Sequence, residues 1–191
     1  SHMGSIYFMR NAWWKAPTGD RSVERREYDG AMIYDPLSEQ TQGLHLNVAA
    51  FDFAGLYPSM MVARNISWET KSNDPTAFAV NISTPRDFSE VTTTNMMYYS
   101  TTELGLLPKA VLELKELRND YKKRMKNSDN KLEYQKWYNN QMAVKRLMAS
   151  FYGVLAFQGF GWADVDLAAS ITASAREAIR LAAFKAKELE V

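Results

Sequence analysis

The stretch FDFAGLYPS, residues 51–59, decides how the rest of the chain is interpreted. It closes an apolar run, residues 47–53, which carries one carboxylate, Asp52, near its end. Small residues and then Pro58 follow, a pattern that predicts a buried strand, a tight turn and the start of a helix. A carboxylate beside the free N–H groups of such a turn is suited to hold a divalent metal against a phosphate chain. The alternative is a strand–turn–helix unit with an ordinary surface aspartate.

The composition restricts the number of domains, the kind of metal site and the presence of membrane spans. The 191 residues are 46% hydrophobic and 24% charged, values typical of a globular protein of one large or two small domains. Cysteine is absent, and His45 is the only histidine outside residues 1–5, which resemble an expression-vector scar. Any metal must therefore be held by oxygen ligands, which favours Mg²⁺ or Mn²⁺. No apolar run is long enough to span a membrane, so we expect no membrane partner, and the absence of cysteine fits a reducing compartment.

Positive charge is concentrated in one segment. Residues 109–146 contain eleven Lys or Arg and five Asp or Glu, although the whole chain has a net charge of only +1. Apolar residues recur there at helical spacing and predict two helices, over about 109–127 and 131–150. Four polar residues join them, which predicts an antiparallel helical hairpin. Such a basic hairpin favours a polyanionic partner, and the alternative is an ordinary solvated helical face.

Particular side chains on this hairpin could bind one anion. Arg118 and Lys122 share a face of the first helix, and Lys145, Ala149 and Tyr152 share a face of the second. If the helices are antiparallel, the Arg118 guanidinium and the two Lys charges could hold a triphosphate together. The small Ala149 and the flat ring of Tyr152 would leave room for a base beside it. Alternatively, the cations merely extend from an apolar seam into solvent.

The remaining segments predict a small sheet and further helices. We expect strands at residues 30–36 and 47–53, paired as an antiparallel hairpin, and another strand at 96–100. A short helix is expected over about 58–64 and an Ala-rich helix over about 164–190. Gly153, Gly159 and Gly161 are expected to interrupt the chain after the second hairpin helix.

Two of these stretches together identify a resemblance. Residues 52–59, DFAGLYPS, resemble the first palm motif of family B DNA polymerases, D-x-x-S-L-Y-P-S. Residues 145–153, KRLMASFYG, resemble the fingers motif of that family, K-x-x-x-N-S-x-Y-G. The resemblance covers about residues 28–190 and is greatest to the archaeal and T-even phage members. It implies a DNA-directed DNA polymerase, which transfers nucleotides from dNTP to a primer 3′-hydroxyl with two metal ions.

The resemblance also implies an α+β fold, a partial palm with a small antiparallel sheet plus helices and an antiparallel two-helix fingers hairpin. Beyond the scar at 1–5, residues 6–107 would be the N-terminal part of the palm and 108–153 the fingers. Residues 154–191 would return into the palm as a long Ala-rich helix. The implied partners are primer–template DNA, dNTP and the remainder of the polymerase, in the same or a second chain. The location would be cytoplasmic and nucleoid-associated, in a prokaryotic or phage-infected cell.

Residue roles follow from the same resemblance. Asp52, a catalytic residue, and the backbone carbonyl of Phe53 would ligate the metal. The backbone N–H groups of Gly55, Leu56 and Tyr57 would hold the phosphates, and the Tyr57 ring would exclude a ribose 2′-hydroxyl. The triphosphate would be held by Arg118, Lys122 and Lys145, the last also catalytic. The nascent base pair would be lined by Ala149, Tyr152 and Gly153.

The sequence departs from the family pattern at three points. Gly55 replaces a Ser and Ala149 replaces an Asn. The second palm carboxylate motif is missing, since Asp164-Val165-Asp166 stands at a predicted helix start, where a carboxylate more readily caps the helix. With Asp52 as the only motif carboxylate, we expect negligible polymerisation by this chain alone. The alternatives are a non-catalytic nucleotide- or DNA-binding module derived from a polymerase, one subunit of a split polymerase, or a plain helical protein.

Overall fold

The computed structural model describes residues 28–32, 44, 46, 48, 52–157 and 160–188. Its elements in chain order are helix α1 (Leu56–Ala63), strands β1 (Lys71–Ser72), β2 (Phe78–Asn81) and β3 (Met96–Tyr99), and helices α2 (Leu106–Lys126), α3 (Lys131–Leu155) and α4 (Val165–Glu188). The fold is therefore mixed, with four helices and one small sheet in the described part of the chain. None of the described helices is long and apolar enough to cross a membrane.

The sheet is antiparallel, in the order β1-β3-β2. Its central strand β3 confirms the strand predicted at 96–100. The strands predicted at 30–36 and 47–53 are not confirmed: residues 30–32, 48, 52 and 53 lie outside strands, and the others lie mostly outside the described residues. The partners of β3 come instead from 71–81. Strands of two and four residues are too short to show the alternation by which a strand is predicted from sequence.

Helices α2 and α3 form the predicted antiparallel hairpin. At its far end the Tyr121 and Trp137 rings stack, with centroids 5.7 Å apart, and the Arg124 guanidinium lies 5.0 Å from the Trp137 ring. Asn130 caps α3, because its Oδ1 accepts a hydrogen bond from the Glu133 N–H at 2.9 Å. Both predicted helices are confirmed, each somewhat longer than expected.

The expected interruption at Gly153 is wrong, since α3 continues through this residue to Leu155. Glycine in a helix interior costs only about 1 kcal/mol relative to alanine. Burial of Phe151 and Leu155, on either side of Gly153, offsets that cost through packing.

Helix α4 crosses the middle of the molecule and confirms the predicted Ala-rich helix. Residues 167–176 of this helix are all buried, and the hydroxyl of buried Tyr99 donates to Ser170 Oγ at 2.7 Å. Arg176, only 1% exposed, donates to backbone carbonyls of four other residues, namely Asp29, Gly30, Ile82 and Thr84. A buried charge requires such partners, so Arg176 ties residues 29–30 and 82–84 to the helix.

Candidate functional site

Asp52 and Phe53 lie immediately before α1, and both are exposed. The chain then turns through Gly55, whose φ of 72° lies in the left-handed region that glycine adopts without a steric penalty. The Ser59 N–H donates to the Gly55 carbonyl at 2.9 Å and begins the helical hydrogen bonding. This turn, with a carboxylate just before it, is the local structure that the motif predicts.

The N-terminus of α1 presents three N–H groups, those of Gly55, Leu56 and Tyr57. The first N–H groups of a helix have no acceptor within it, and the next residue, Pro58, has no N–H at all. Among the described residues none accepts a hydrogen bond from these three groups. The helix end therefore carries partial positive charge and, within the described part of the chain, donors without acceptors close to Asp52, which suits an anion.

Three tyrosines join this helix to α3. The Tyr57 and Tyr152 rings are in contact, with centroids 4.6 Å apart and planes at 45°, and the Tyr28 and Tyr152 hydroxyl oxygens are 3.0 Å apart. Burial raises the pKa of the Tyr57 phenol, Tyr28 adds to that shift, and Arg176 opposes it. Burial likewise raises the pKa of Tyr152, as does its hydrogen bond with Tyr28. The Tyr57 and Tyr152 phenols are therefore neutral near pH 7, and their rings lie in contact at the α1 turn.

The predicted basic residues of the hairpin lie within about two helical turns of one another along its length. Arg118 Nε donates to Gln141 Oε1 at 3.2 Å, which links α2 to α3 one turn before Lys145. Lys122 lies one turn from Arg118 toward the far end of the hairpin. Successive cations are thus separated by about 6 Å along the helix axes. Lys145 is exposed and Lys122 half-buried, and within the described ranges neither forms a salt bridge.

The other predicted site residues differ in exposure. Ala149 and Gly153 are exposed on α3 on the side of Tyr152, whereas Leu56 is half-buried. The positions of Phe53, Leu56, Ala149 and Gly153 are compatible with the expected roles, which remain predictions.

The described residues contain no group of three or more His, Cys, Asp or Glu side chains that could hold a metal ion. Asp164 instead accepts hydrogen bonds from the Asp166 and Leu167 N–H groups, at 3.1 and 3.2 Å, and its other oxygen lies 2.8 Å from Lys71 Nζ. The helix-capping interpretation of Asp164 is thus confirmed. Among the described residues, Asp52 with the Phe53 carbonyl is the oxygen pair that could bind a cation next to the α1 turn.

Sequence reasoning missed three residues at or beside this site: Tyr28, Gln141 and Arg176. An isolated tyrosine in a stretch without periodicity carries no signal. Gln141 lies on the face of Lys145, which could have indicated its contact with α2.

A cleft of about 1020 Å³ opens beside Tyr28 and is lined mainly by polar residues, including Asp29 and Arg86.

Known proteins are similar to this chain in both sequence and fold. Residues 10–187 match the model of DNA polymerase family B. The chain is 30% identical to DNA polymerase 1 of Aeropyrum pernix over 171 residues, covering 88% of this chain and 16% of that protein. It is 26% identical to a DNA polymerase of Pyrococcus glycovorans over 197 residues, covering 96% of this chain and 23% of the relative.

Among solved structures, the family B DNA polymerase of the hyperthermophilic archaeon Pyrobaculum calidifontis superposes with a TM-score of 0.59. The two are 24% identical, and the match covers 87% of this chain and 21% of that one, a similarity that establishes the fold. The chain therefore spans about a fifth of the length of the relatives that it matches.

Proposed function

Since the chain belongs to DNA polymerase family B, we propose that it forms the part of a DNA-directed DNA polymerase that holds the incoming nucleotide. Residues 108–153 act as the fingers and the segments on either side as part of the palm. The main support is the contact between Tyr57 and Tyr152, one from each motif, which are 95 positions apart in sequence. This contact places the turn after Asp52 beside the basic hairpin, where a triphosphate can touch both.

The triphosphate is bound from two sides. On one side the N–H groups of Gly55, Leu56 and Tyr57 donate to phosphate oxygens, as helix N-termini commonly do. On the other side Arg118 and Lys145 approach from the hairpin, and Lys122 lies one turn further along it. Arg supplies a fork of donors and Lys a mobile point charge, so the pair neutralises an extended polyphosphate. Lys145 would also stabilise the charge that develops on the leaving pyrophosphate.

Asp52 and the Phe53 carbonyl are the proposed ligands for Mg²⁺ or Mn²⁺, because hard cations prefer oxygen donors. An exposed carboxylate beside an open helix end fits this role, since nucleotide oxygens and water can complete the coordination. When bound, such metal ions stabilise the attacking and leaving oxygens of nucleotidyl transfer.

Tyr57 is proposed to set the sugar preference. Its ring is held against Tyr152 and cannot move away from the turn without losing that contact. A ribose 2′-hydroxyl directed at the face of this ring would meet its carbon atoms, which offer no conventional hydrogen-bond acceptor. The α1 turn therefore favours deoxynucleotides.

We expect the chain alone to bind nucleotide but to extend primers negligibly. Two-metal chemistry uses several carboxylates, and the described residues offer no group of three metal-ligating side chains around Asp52. The remaining ligands, and the surface that holds primer–template DNA, would come from the rest of the polymerase, in the same or a second chain. Robust primer extension by the purified chain would contradict this proposal.

The test is a dNTP titration with and without Mg²⁺. Asp52→Asn should abolish the enhancement of binding by Mg²⁺, because it removes the metal-binding charge. Lys145→Ala should weaken triphosphate binding about tenfold, the effect of losing one charge-assisted hydrogen bond. Lys126→Ala is the matched control, since this exposed lysine lies one turn beyond Lys122 at the far end of α2. If Asp52→Asn and Lys145→Ala both bind dNTP like the parent chain and the Lys126→Ala control, the proposed site is wrong.

A second candidate function is a nucleotide- or DNA-binding module without catalysis. It is favoured by exposed Ala149, which offers no polar contact to a base where the family has Asn. Metal-independent DNA binding that survives Asp52→Asn and Lys145→Ala would support this module over the polymerase fragment.

A further inference from the structure

The far half of α3 carries two outward-facing tyrosines. Tyr134 and Tyr138 are 45% and 40% exposed, and their rings are nearly parallel, with planes at 12° and centroids 6.5 Å apart. Within the described chain neither hydroxyl forms a hydrogen bond, and the only ring contact of each is with the other. Two aligned aromatic faces in solvent are an unusual use of residues that normally bury most of their surface.

These tyrosines differ from Trp137, which has a structural role in the hairpin. The Trp137 ring stacks on Tyr121, lies under Arg124 and Lys136, and donates its Nε1–H to Glu133 at 3.3 Å. Packing of the helix pair thus accounts for Trp137. It does not account for Tyr134 and Tyr138, whose side chains are about 40–45% exposed.

Helical geometry places the tyrosine pair in line with the proposed nucleotide site. Tyr134, Tyr138, Lys145 and Tyr152 are separated by 4, 7 and 7 residues, spacings that keep all four on one face of α3. The pair lies about 10–16 Å along the axis from Lys145. One face of a single helix thus carries a cation and a tyrosine at the nucleotide site and two further tyrosines beyond it.

The surroundings of the pair are basic. Residues 122–136, which form the far end of the hairpin, contain six Lys or Arg and two Asp or Glu. Five of these six cations are exposed, namely Lys123, Arg124, Lys126, Lys131 and Lys136. Aromatic faces flanked by cations are what a single nucleic-acid strand requires, because its bases stack on the rings while its phosphates contact the charges. In a duplex the bases already stack on one another and their faces are hidden.

We propose that Tyr134 and Tyr138 form a base-stacking platform that binds single-stranded nucleic acid on the outer half of α3. The platform is separate from the nucleotide site and uses neither Asp52 nor a metal ion. A strand bound there would run along the α3 face toward Lys145, with its phosphates over the basic end of the hairpin. The inference adds a second nucleic-acid contact to the proposed function and can be tested without it.

The test uses a labelled twelve-nucleotide oligothymidylate, titrated with the full chain in EDTA and without nucleotide, and followed by fluorescence anisotropy. The double variant Tyr134→Ala/Tyr138→Ala should bind about tenfold or more weakly, as expected when base–aromatic stacking is lost. Tyr134→Phe/Tyr138→Phe should retain affinity within about twofold, because the rings and not the hydroxyls make the contact. Helical content measured by circular dichroism verifies that each variant is folded.

A second aromatic pair supplies the matched control. Phe88 and Phe184 are also partly exposed and lie beside Arg180, but their rings meet edge to face, 5.9 Å apart. Phe88→Ala/Phe184→Ala should leave oligonucleotide binding unchanged. A 2-aminopurine in the oligonucleotide should be quenched by the parent chain and not by the Tyr134→Ala/Tyr138→Ala variant, which reports stacking directly.

Three results would overturn the proposal. Equal single-strand binding by the alanine variant would show that the rings are not used. An equal loss of duplex and single-strand binding would assign the effect to charge or to altered folding. Unchanged oligonucleotide binding together with lost binding of an acidic peptide would assign the surface to a protein partner. Because dNTP affinity in Mg²⁺ should be the same in parent and variant, failure here is distinguishable from failure of the nucleotide site.

Discussion

Helices α1 and α2 begin with the same sequence pattern, Gly-Leu-x-Pro, in residues 55–58 and 105–108. Each has a glycine N-cap and a proline as its third residue, so each presents three N–H groups at its N-terminus. At α2 every one of these groups is used. Gly105 donates to Asn65 Oδ1, Leu106 to Glu69 Oε1, and Leu107 to Ser67 Oγ.

At α1, by contrast, the described residues provide no acceptor for the corresponding groups. The α2 terminus is buried and joins the hairpin to residues 65–70, whereas the α1 terminus directly follows the exposed residues 52–55. The difference shows how one sequence pattern serves two purposes. Where neighbouring side chains satisfy the donors the helix end is a structural joint, and where they do not it can bind an anion.

The two glycines are required for different reasons. Gly55 has a φ of 72°, and a Cβ there would meet only Pro58 Cγ, at 3.9 Å. Gly105 has ordinary extended geometry, but its Cβ would lie 2.6 Å from Ser67 Cβ. One glycine relieves backbone strain and the other permits close packing. Substitutions at and around the two termini can therefore test the comparison.

The largest effect is expected for Asn65→Ala, at the closed terminus. Buried Asn65 accepts from Gly105 and donates to the Ser100 and Glu103 carbonyls, both at 2.7 Å. Removing it leaves those groups unpaired and places alanine at a φ of 51°. We expect a loss of about 3 kcal/mol in the free energy of unfolding, measured by urea denaturation. Asn65→Gly should cost less, because glycine tolerates that φ, and an equal loss would contradict the strain argument.

Gly105→Ala is expected to have the next largest effect, a loss of about 2 kcal/mol in the free energy of unfolding. The reason is that the new methyl group must displace Ser67 and Thr70. Gly153→Ala is the control, since nothing lies within 4 Å of a Cβ there and the helix interior favours alanine. That variant should be neutral or stabilised by up to about 1 kcal/mol in the same measurement. If both variants were equally destabilised, close packing would not explain Gly105.

The smallest of these effects is expected for Gly55→Ala, at the open terminus. The added methyl group has space, so the only cost comes from the left-handed backbone conformation. We expect a loss of about 1 kcal/mol in the free energy of unfolding. Gly55→Asn should lose less stability than Gly55→Ala, because asparagine adopts the left-handed conformation more readily than alanine. A loss larger than that of Gly105→Ala, in parallel urea titrations, would reverse the comparison between the two termini.

Much of the architecture could be predicted from local pattern. The hairpin helices, the strand at 96–99 and the Ala-rich α4 were all predictable because periodicity or composition marks them. The two motifs identified the family, and the sequence also indicated that Asp164 caps α4. The strands at 71–72 and 78–81 could not be predicted, because their pairing with β3 is a tertiary contact without local signal. Gly153 was wrongly expected to end α3, because packing of Phe151 and Leu155 outweighs its low helix propensity.

By itself, the sequence determined which residues could carry the chemistry: one carboxylate before a glycine turn, and cations with tyrosines at helical spacing. These are properties of residue type and position, which do not depend on the rest of the fold. Only the tertiary structure decided that Tyr57 meets Tyr152, that Arg176 is a buried structural cation, and that the N-terminal N–H groups of α2 have acceptors where those of α1 have none among the described residues. The physical reason is that each of these outcomes depends on partners tens of residues away in the chain. A Gly-Leu-x-Pro pattern creates the same unused donors at both helices, and only the surrounding fold determines what satisfies them.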